Sequence, residues 1–220
     1  MMIHIDNLFD FNHTRSAHYL RQYQYPWQAL ASIHQMILDL GATLPSSEFD
    51  QVAPQVWVHK TATVAPTALL TAPCIIDADS EVRHGAFIRG SVLVGKGCVV
   101  GNSVELKNVI LFDQVQVPHF NYVGDSILGY KAHMGAGAVT SNIKSDRTLV
   151  VIHHKEDIPT GIKKVGAFLG DYAEIGCNSV LNPGSIIGRN SIVYPLSCVR
   201  GIVPASHIYK TGGVLVAKED

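Results

Sequence analysis

Residues 58–106 read VHKTATVAPTALLTAPCIIDADSEVRHGAFIRGSVLVGKGCVVGNSVEL and carry an aliphatic residue at every sixth position. The nine aliphatic residues are Val58, Val64, Leu70, Ile76, Val82, Ile88, Val94, Val100 and Leu106. The residues four positions later are mostly small: Ala62, Ala68, Cys74, Ser80, Ala86, Val92, Cys98 and Val104. A helix repeats about every 3.6 residues and a strand every two, so neither explains this period. A period of six predicts a triangular coil whose three sides are short strands, each turning one large and one small side chain inward.

The same period continues later in the chain. After Leu106 the register runs, with two five-residue steps, through Leu111, Val117, Val123, Leu128, Met134 and Thr140. A further run consists of Leu169, Ile175, Leu181, Ile187, Val193 and Val199. With three hexads to a coil, these 21 hexads predict about seven coils. The predicted fold is therefore an all-β solenoid, a left-handed parallel β-helix over residues 51–205. An antiparallel sandwich is the alternative, but its loops vary too much in length to hold one register.

Residues 1–50 lack the hexad and form a predicted N-terminal cap. One amphipathic helix is predicted over Trp27–Leu40, with Pro26 in its first turn and Gly41 at its end. Its apolar residues recur at steps of three and four: Leu30, Ile33, Ile37 and Leu40. We expect this segment to cover the open end of the solenoid or its flank, because unpaired strand edges recruit other chains.

Two further segments depart from the repeat. Residues 141–165 combine the run LVVI with charged residues, Pro159 and Gly161, which predicts a projecting loop with one added strand pair. Long loops in compact folds are more often functional than idle. Residues 206–220 are predicted to be a C-terminal tail that frays.

Composition excludes several classes of function. The 17 basic and 18 acidic residues give a formal net charge of −1, so no broad field attracts nucleic acid or an anionic membrane. No signal peptide and no apolar stretch of membrane-spanning length is visible, which predicts a cytoplasmic protein. Four cysteines lie far apart without a CxxC pair, so we expect reduced thiols rather than a zinc or redox site.

Three central motifs carry a family resemblance: VGNSVELKN at 100–108, PHFNYVGD at 118–125 and GAGAVTSN at 135–142. Together they resemble the acetyltransferase half of the bifunctional acetyltransferase/uridylyltransferases that make UDP-N-acetylglucosamine. The stretch GIKKVGAFLGDYAEIGCNSVLNPGSIIG at 161–188 is similar to the archaeal-type branch of that family, and YPWQAL at 25–30 to the connector that precedes its β-helix. The resemblance covers residues 25–205.

The resemblance implies an N-acetyltransferase that uses acetyl-CoA as co-substrate and acts on an amino sugar 1-phosphate, glucosamine 1-phosphate first. It assigns His119 as general base, which suits an imidazole because an amine must lose a proton as it attacks a thioester. Glu105 is assigned to orient His119 or a neighbouring group. The implied substrate-binding residues are Arg89, Lys107, Tyr122, His133, Asn142 and Lys164. The implied coenzyme-binding residues are Cys177, Pro195 and Lys210. We expect the backbone N–H groups of residues 135–138 to stabilise the oxyanion.

The resemblance also implies a homotrimer that needs no metal for acetyl transfer. The chain lacks the family's nucleotidyltransferase domain, so uridylyl transfer is not expected of it, and a separate nucleotidyltransferase is a possible partner. His133 replaces a usual asparagine, Ile143 a usual tyrosine and Cys177 a serine, and no arginine for the coenzyme phosphates lies near Lys210.

These departures leave two rival functions open. The first is a non-catalytic or regulatory β-helix that binds a sugar phosphate. The second is a zinc-dependent β-helix similar to the γ-carbonic anhydrases, although His84, His119 and His133 do not match the arrangement of that family's ligands. The acceptor also stays open, since galactosamine 1-phosphate carries the same reacting groups.

Overall fold

The computed structural model describes residues 3–154 and 156–219, a segment of short helices followed by a solenoid. The helices are α1 (Ile5–Leu8), α2 (Ala17–Leu20) and α3 (Ile33–Thr43), with 3₁₀ turns at Phe11–His13, Pro26–Ala29 and Thr211–Gly213. The strands are β1 (Phe49–Ala53), β2 (Val56–His59), β3 (Thr63–Val64), β4 (Leu69–Leu70), β5 (Cys74–Ile76), β6 (Glu81–Val82), β7 (Phe87–Ile88), β8 (Val92–Val94), β9 (Val99–Asn102), β10 (Glu105–Leu111), β11 (Gln116–His119), β12 (Tyr122–Leu128), β13 (His133–Met134), β14 (Val139–Thr140), β15 (Val151–Ile152), β16 (Ile158–Pro159), β17 (Ala167–Leu169), β18 (Glu174–Ile175), β19 (Val180–Leu181), β20 (Ser185–Ile187), β21 (Ile192–Val193), β22 (Cys198–Val199), β23 (Ile202–Val203), β24 (His207–Lys210) and β25 (Val214–Ala217).

Strands of successive coils pair in parallel, so that Val82 lies beside Val100 and Val100 beside Val117. These register residues are buried, as the period of six predicts. One column of parallel strands, β3, β6, β9, β11, β13, β18, β21 and β24, marks about eight coils where about seven are predicted. The predicted left-handed parallel β-helix is confirmed.

The triangular coils give the solenoid three sides. The covered side is formed by β5, β8, the second halves of β10 and β12, β17, β20 and β23. The His133 side is the column from β3 to β24 named above. The Tyr122 side is formed by β4, β7, the first halves of β10 and β12, β14, β19 and β22.

Two corners flank the Tyr122 side. The corner towards the covered side, which contains Asn108 and Asp125, is called here the Asp125 corner. There the five-residue steps of the register, ending at Leu111 and Leu128, let β10 and β12 run on round the turn. Asn108 and Asp125 have φ values of 56° and 47°, a left-handed conformation that asparagine and aspartate tolerate better than most residues. The corner towards the His133 side, which follows His119, is called the His119 corner.

The N-terminal segment lies along the covered side. The middle residue of each strand there points outward, because side chains alternate along a strand. From β5 to β20 these outward residues are apolar and fully buried, whereas Ile202 of β23 is half-buried: Ile75, Leu93, Ile110, Ile127, Phe168 and Ile186 are the buried ones. The helix α3 packs on β5, β8 and β10, and the Trp27 ring centroid lies 6.4 Å from that of Phe168. Of the two positions left open by the sequence, the segment therefore occupies the flank.

The predicted helix over Trp27–Leu40 differs from the structure at both ends. Pro26 begins a 3₁₀ turn, where the Gln28 side chain accepts from the Tyr25 N–H at 2.8 Å, and α3 starts only at Ile33. Gly41 does not end the helix, which runs on to Thr43. A Cβ atom on Gly41 would lie 2.3 Å from the Trp57 ring, so glycine at this position makes room for an aromatic side chain of the solenoid.

Residues 141–165 fold back on the solenoid. They contain the antiparallel pair β15–β16, and Val150 and Ile152 are fully buried. Residues 206–219, instead of fraying, add β24 to the last coil and pair β25 antiparallel to it. No helix in the described parts of the chain has the length and apolar character to cross a bilayer.

Candidate active site

Asp125 is the centre of a polar cluster at the Asp125 corner. Its carboxylate is 4% exposed and accepts from Lys107 Nζ at 2.9 and 3.2 Å. It also accepts from Asn108 Nδ2 at 2.9 Å and from Asn142 Nδ2 at 2.6 Å. Four charge-assisted hydrogen bonds fix these three side chains. The motifs contain Asp125 without giving it a predicted role, although a carboxylate in a strand between Val123 and Ile127 is a sign of such a cluster.

Tyr122 connects this cluster to the middle of the Tyr122 side. Its hydroxyl accepts from Asn142 Nδ2 at 3.1 Å. Burial raises the pKa of Tyr122, and the negative charges of Asp125 and Glu105 raise it further. The phenol therefore keeps its proton at neutral pH and can donate it in a hydrogen bond to a ligand.

Arg89 and Glu105 form an exposed pair beside Tyr122. Arg89 Nη1 donates to Glu105 Oε1 at 2.7 Å, and Glu105 lies opposite Tyr122 in the strand register. Glu105 thus contacts Arg89, whereas no hydrogen bond joins Glu105 to His119 in the described residues. Of the two orienting roles assigned to Glu105, the geometry favours the one towards a neighbouring cation.

A cleft of about 240 Å³ separates the Asp125 corner from the N-terminal segment. Leu30 and Ala31 line one wall, Asp125 the other, and Lys164 lies exposed at the rim. Asn108 Nδ2 also donates to the Leu30 carbonyl at 3.2 Å, which ties the N-terminal wall to the cluster. Lys164 has no ion-pair partner among the described residues, so its charge is available to an anionic ligand.

His119 lies at the opposite edge of the Tyr122 side. Its backbone N–H donates to Asn121 Oδ1 at 3.2 Å, and its carbonyl accepts from the Gly137 N–H at 3.0 Å. The buried Asn121 amide donates in turn to the carbonyls of Gly135 and Ala138, at 2.9 and 3.0 Å. Asn121, for which the motifs predicted no role, therefore joins the turn at 135–138 to His119 through hydrogen bonds. The imidazole itself makes no hydrogen bond within the described residues.

The expectation for the turn at 135–138 needs correction. The Gly135 N–H donates to Ile175, the Gly137 N–H to His119 and the Ala138 N–H to Gly135. Three of the four backbone donors are thus already used by the β-helix. Ala136 keeps the N–H without a partner in the described part of the chain, and it is the donor that remains for an oxyanion.

The residues assigned to the coenzyme lie on the His119 corner. Backbone hydrogen bonds place His119, Ala136, Cys177 and Pro195 at the same position on successive coils. With about 4.8 Å between neighbouring strands, the column from His119 to Pro195 is about 14 Å long. Cys177 and Pro195 are exposed, and Lys210 ends β24 on the next coil.

His133 lies apart from the other candidates. It is on the His133 side, where its Nδ1 contacts Glu174 Oε2 at 2.8 Å. A cavity of about 350 Å³ beside it is lined by Lys131 and Tyr172. The chain therefore places the predicted site residues on the Tyr122 side and its corners, with the exception of His133. No group of three His, Cys, Asp or Glu side chains with metal-binding geometry occurs in the described residues.

Comparison with known sequences finds a matching family model and similar curated proteins. The profile of the family "GMPPB C-terminal domain" matches residues 70–162. The "Bifunctional protein GlmU" of Methanococcus maripaludis strain S2 is 28% identical over 201 residues, which are 89% of this chain and 48% of that protein. The Sulfurisphaera tokodaii "Bifunctional sugar-1-phosphate nucleotidylyltransferase/acetyltransferase" is 30% identical over 156 residues, 62% of this chain and 39% of that protein.

The chain spans less than half the length of these curated relatives. Similar solved structures include a mutant of AntD, an N-acyltransferase from Bacillus cereus with dTDP and coenzyme A, at 15% identity over 75% of this chain and 81% of that one, TM-score 0.42. The acetyltransferase domain of PglB from Neisseria gonorrhoeae with acetyl coenzyme A has 15% identity over 79% and 60%, TM-score 0.33. The resemblance predicted from the central motifs is confirmed by the sequence relatives.

Proposed function

We propose that this chain, which resembles the acetyltransferase half of those bifunctional relatives, transfers the acetyl group of acetyl-CoA to the amine of an amino sugar 1-phosphate. Glucosamine 1-phosphate is the first candidate acceptor, and the product would enter UDP-N-acetylglucosamine synthesis. The observation that carries the proposal is the arrangement of the Tyr122 side. His119 lies at one edge of this side, and the cations Arg89, Lys107 and Lys164 lie towards the other edge, at the Asp125 corner.

Lys164, Arg89 and Lys107 are proposed to hold the phosphate. Arg89 and Lys107 are each paired with a carboxylate, so a phosphate dianion has to share them with Glu105 and Asp125. Lys164 carries no such partner among the described residues. Tyr122 and Asn142, held by the Asp125 cluster, are proposed to contact the sugar hydroxyls.

His119 is proposed to remove the proton from the amine as nitrogen attacks the thioester carbonyl carbon. The carbonyl oxygen then becomes an oxyanion that the Ala136 N–H stabilises. Collapse of the tetrahedral species breaks the C–S bond and releases coenzyme A as its thiolate, which takes a proton, while the acetyl group stays on nitrogen. Acetyl-CoA would lie along the His119 corner past Cys177 and Pro195, with its phosphates near Lys210.

A homotrimer is proposed because the two uncovered sides differ from each other. The N-terminal segment occupies the covered side, so subunits have the His133 side and the Tyr122 side left for contact. An interface between two different faces is heterologous, and it closes into a ring when the rotation fits. Such a ring would bring the His133 of one subunit towards the Tyr122 side of the next, where the acceptor is proposed to bind.

The first experiment is a thiol-release assay with acetyl-CoA and a panel of amino sugar phosphates, run with His119→Ala. The control is His18→Ala, an exposed histidine on α2. We expect turnover of one acceptor, a rate about 10² to 10⁴ lower in His119→Ala and an unchanged rate in the control. Equal rates in all three proteins would refute the assigned base.

The rival is a non-catalytic β-helix that binds a sugar phosphate and partners a separate nucleotidyltransferase. Arg89 and Lys107 are each already paired with a carboxylate. This observation favours the rival function if the acceptor binds to the chain but is not acetylated. Binding of glucosamine 1-phosphate that depends on Lys164, together with silence in the thiol assay across the panel, would select this rival.

A further inference from the structure

Residues 141–165 and the last coils enclose a second cavity, of about 320 Å³. The strand register places Asn182 and Arg200 one above the other on successive coils, and both line this cavity. The loop contributes Lys144 and His153 to the opposite wall. None of these four residues belongs to the site proposed above.

Arg200 and His153 form an unusual contact that fixes the state of the imidazole. Arg200 Nη2 lies 2.8 Å from His153 Nε2. A guanidinium group only donates hydrogen bonds, so Nε2 accepts and carries no proton. The proton is therefore on Nδ1, which donates to Asp157 Oδ1 at 3.0 Å. The partner of Arg200 is therefore a neutral imidazole. This partner does not compensate the positive charge of the Arg200 guanidinium group.

Four of the other six arginines contact a carboxylate: Arg15, Arg83, Arg89 and Arg189. Arg21 and Arg147 have no such partner among the described residues, but neither lines this cavity. Arg200 has no carboxylate within 4.0 Å among residues 3–154 and 156–219, and one of its five N–H groups has a partner there. Lys144 adds a second positive charge, partly offset by Asp146 at 3.3 Å.

The cavity is built by close packing of the loop on two glycines. A Cβ atom on Gly184 would lie 2.9 Å from Ile152 Cδ1, and one on Gly201 would lie 2.8 Å from the His153 carbonyl oxygen. Both glycines have positive φ, of 81° and 85°. Together with the full burial of Val150 and Ile152, these contacts hold the His153 backbone against the coil that carries Arg200.

We propose that this cavity is a second anion site, which takes a phosphoryl group between Arg200 and Lys144. Two phosphate oxygens can accept from the guanidinium fork in place of the His153 imidazole. Asn182 and the Ser141 and Ser145 hydroxyls line the same space. The phosphoryl group would come either from a free phosphate or from the diphosphate of a nucleotide-linked sugar, and the two sources are separable by experiment.

The test is isothermal calorimetry on the full chain with inorganic phosphate, UDP and glucosamine 1-phosphate. For phosphate or UDP we expect saturable binding that is at least about tenfold weaker in Arg200→Gln, because a charge-assisted hydrogen bond is lost, and also weaker in Lys144→Gln. Arg83→Gln changes a half-buried arginine that is paired with Glu81 outside the cavity; it is the control and should bind as the unchanged chain does. If the binding of inorganic phosphate depends on Arg200, the ligand of the second site is a free phosphate. If only the binding of UDP depends on Arg200, the ligand is a nucleotide diphosphate.

A second variant keeps the proposal testable if Arg200→Gln fails to fold. His153→Leu removes the acceptor that competes for Arg200, so phosphate or UDP should bind at least as tightly as before. Absence of binding by both probes, or binding that is equal in the unchanged chain and all variants, overturns the second site. Binding of glucosamine 1-phosphate that depends on Lys164 but not on Arg200 would report on the proposed acceptor site alone.

Discussion

Lys107 Nζ donates to both carboxylate oxygens of Asp125, at 2.9 and 3.2 Å, in a pair whose acid is 4% exposed. The neighbouring pair of Arg89 and Glu105 has a similar distance, 2.7 Å, but lies on the surface. The two pairs are thus chemically alike and differ in burial. This difference decides what each contributes to stability.

The first prediction compares the same chemical change in the two pairs. Asp125→Asn leaves the largely buried Lys107 ammonium group without its counter-ion. It also replaces one of the two oxygens that accept from Asn108 and Asn142 with an NH2 donor. We expect it to lower the free energy of unfolding by about 3 kcal/mol. Glu105→Gln removes an exposed ion pair and should change it little. Urea denaturation measures both, and equal losses would show that burial of Asp125 does not matter.

The second prediction concerns Tyr122. Its raised pKa means that, just above the ordinary value for tyrosine, the unfolded chain ionises this phenol while the folded chain does not. Tyr122 therefore contributes stability below that pH, and the contribution is lost as the pH rises towards the raised pKa. Spectrophotometric titration near 295 nm should show one late-titrating tyrosine that disappears in Tyr122→Phe. In Asp125→Asn the same tyrosine should titrate earlier, because one of the negative charges that raise its pKa is gone.

The third prediction uses the four free thiols. Burial raises the pKa of Cys74 to about 12 and that of Cys98 still further, so neither forms thiolate in the folded protein. Cys177 and Cys198 are exposed and should react with iodoacetamide. Acetyl-CoA, whose sulfur is blocked as a thioester and does not consume the reagent, should slow alkylation of Cys177, which lies on the His119 corner, more than that of Cys198. Peptide mapping of Cys177→Ser and Cys198→Ser separates the two sites, and equal protection would contradict the proposed coenzyme path.

The fourth prediction addresses the covered side. Phe168→Ala leaves a cavity against Trp27 and should cost about 3 to 5 kcal/mol of folding free energy. Limited proteolysis should also become faster within residues 3–48. Phe120→Ala is the matched control, because Phe120 is 59% exposed and its loss should leave stability within about 0.5 kcal/mol. Similar losses for both variants would mean that the N-terminal segment adds nothing to the stability of the solenoid.

The repeat determines most of the fold at the sequence level. A period of six sets the inward residues and the parallel register, and the five-residue steps at Leu111 and Leu128 mark the corner where β10 and β12 continue. The position of the N-terminal segment stayed open between the end and the flank of the solenoid, although the sequence carries a signal for the flank. Outward residues on one side, such as Ile75, Leu93 and Ile110, are apolar at a spacing of about three hexads, and only a covered side needs that.

The site was less predictable than the fold. Motifs indicate which residues belong to it, but they do not show that Lys107 and Arg89 already hold carboxylates. Asp125 and Asn121 act by orienting other groups, and their partners come from different coils. The separation of His133 depends on which side of a coil each hexad forms, and the use of three N–H groups at 135–138 depends on backbone pairing that a motif does not encode.

The contact between the N-terminal segment and the covered side has a consequence for synthesis on the ribosome. The Asp10 N–H donates to Asp171 Oδ2, a partner 161 positions later in the chain. At roughly 5 to 20 residues per second, translation needs on the order of ten seconds or more to deliver that partner. For this period the apolar surface of the first helices, with Trp27 and Ile37, has no complete solenoid to pack on. The nascent chain is therefore expected to expose the apolar face of α3, its longest helix, when chaperones can first reach it.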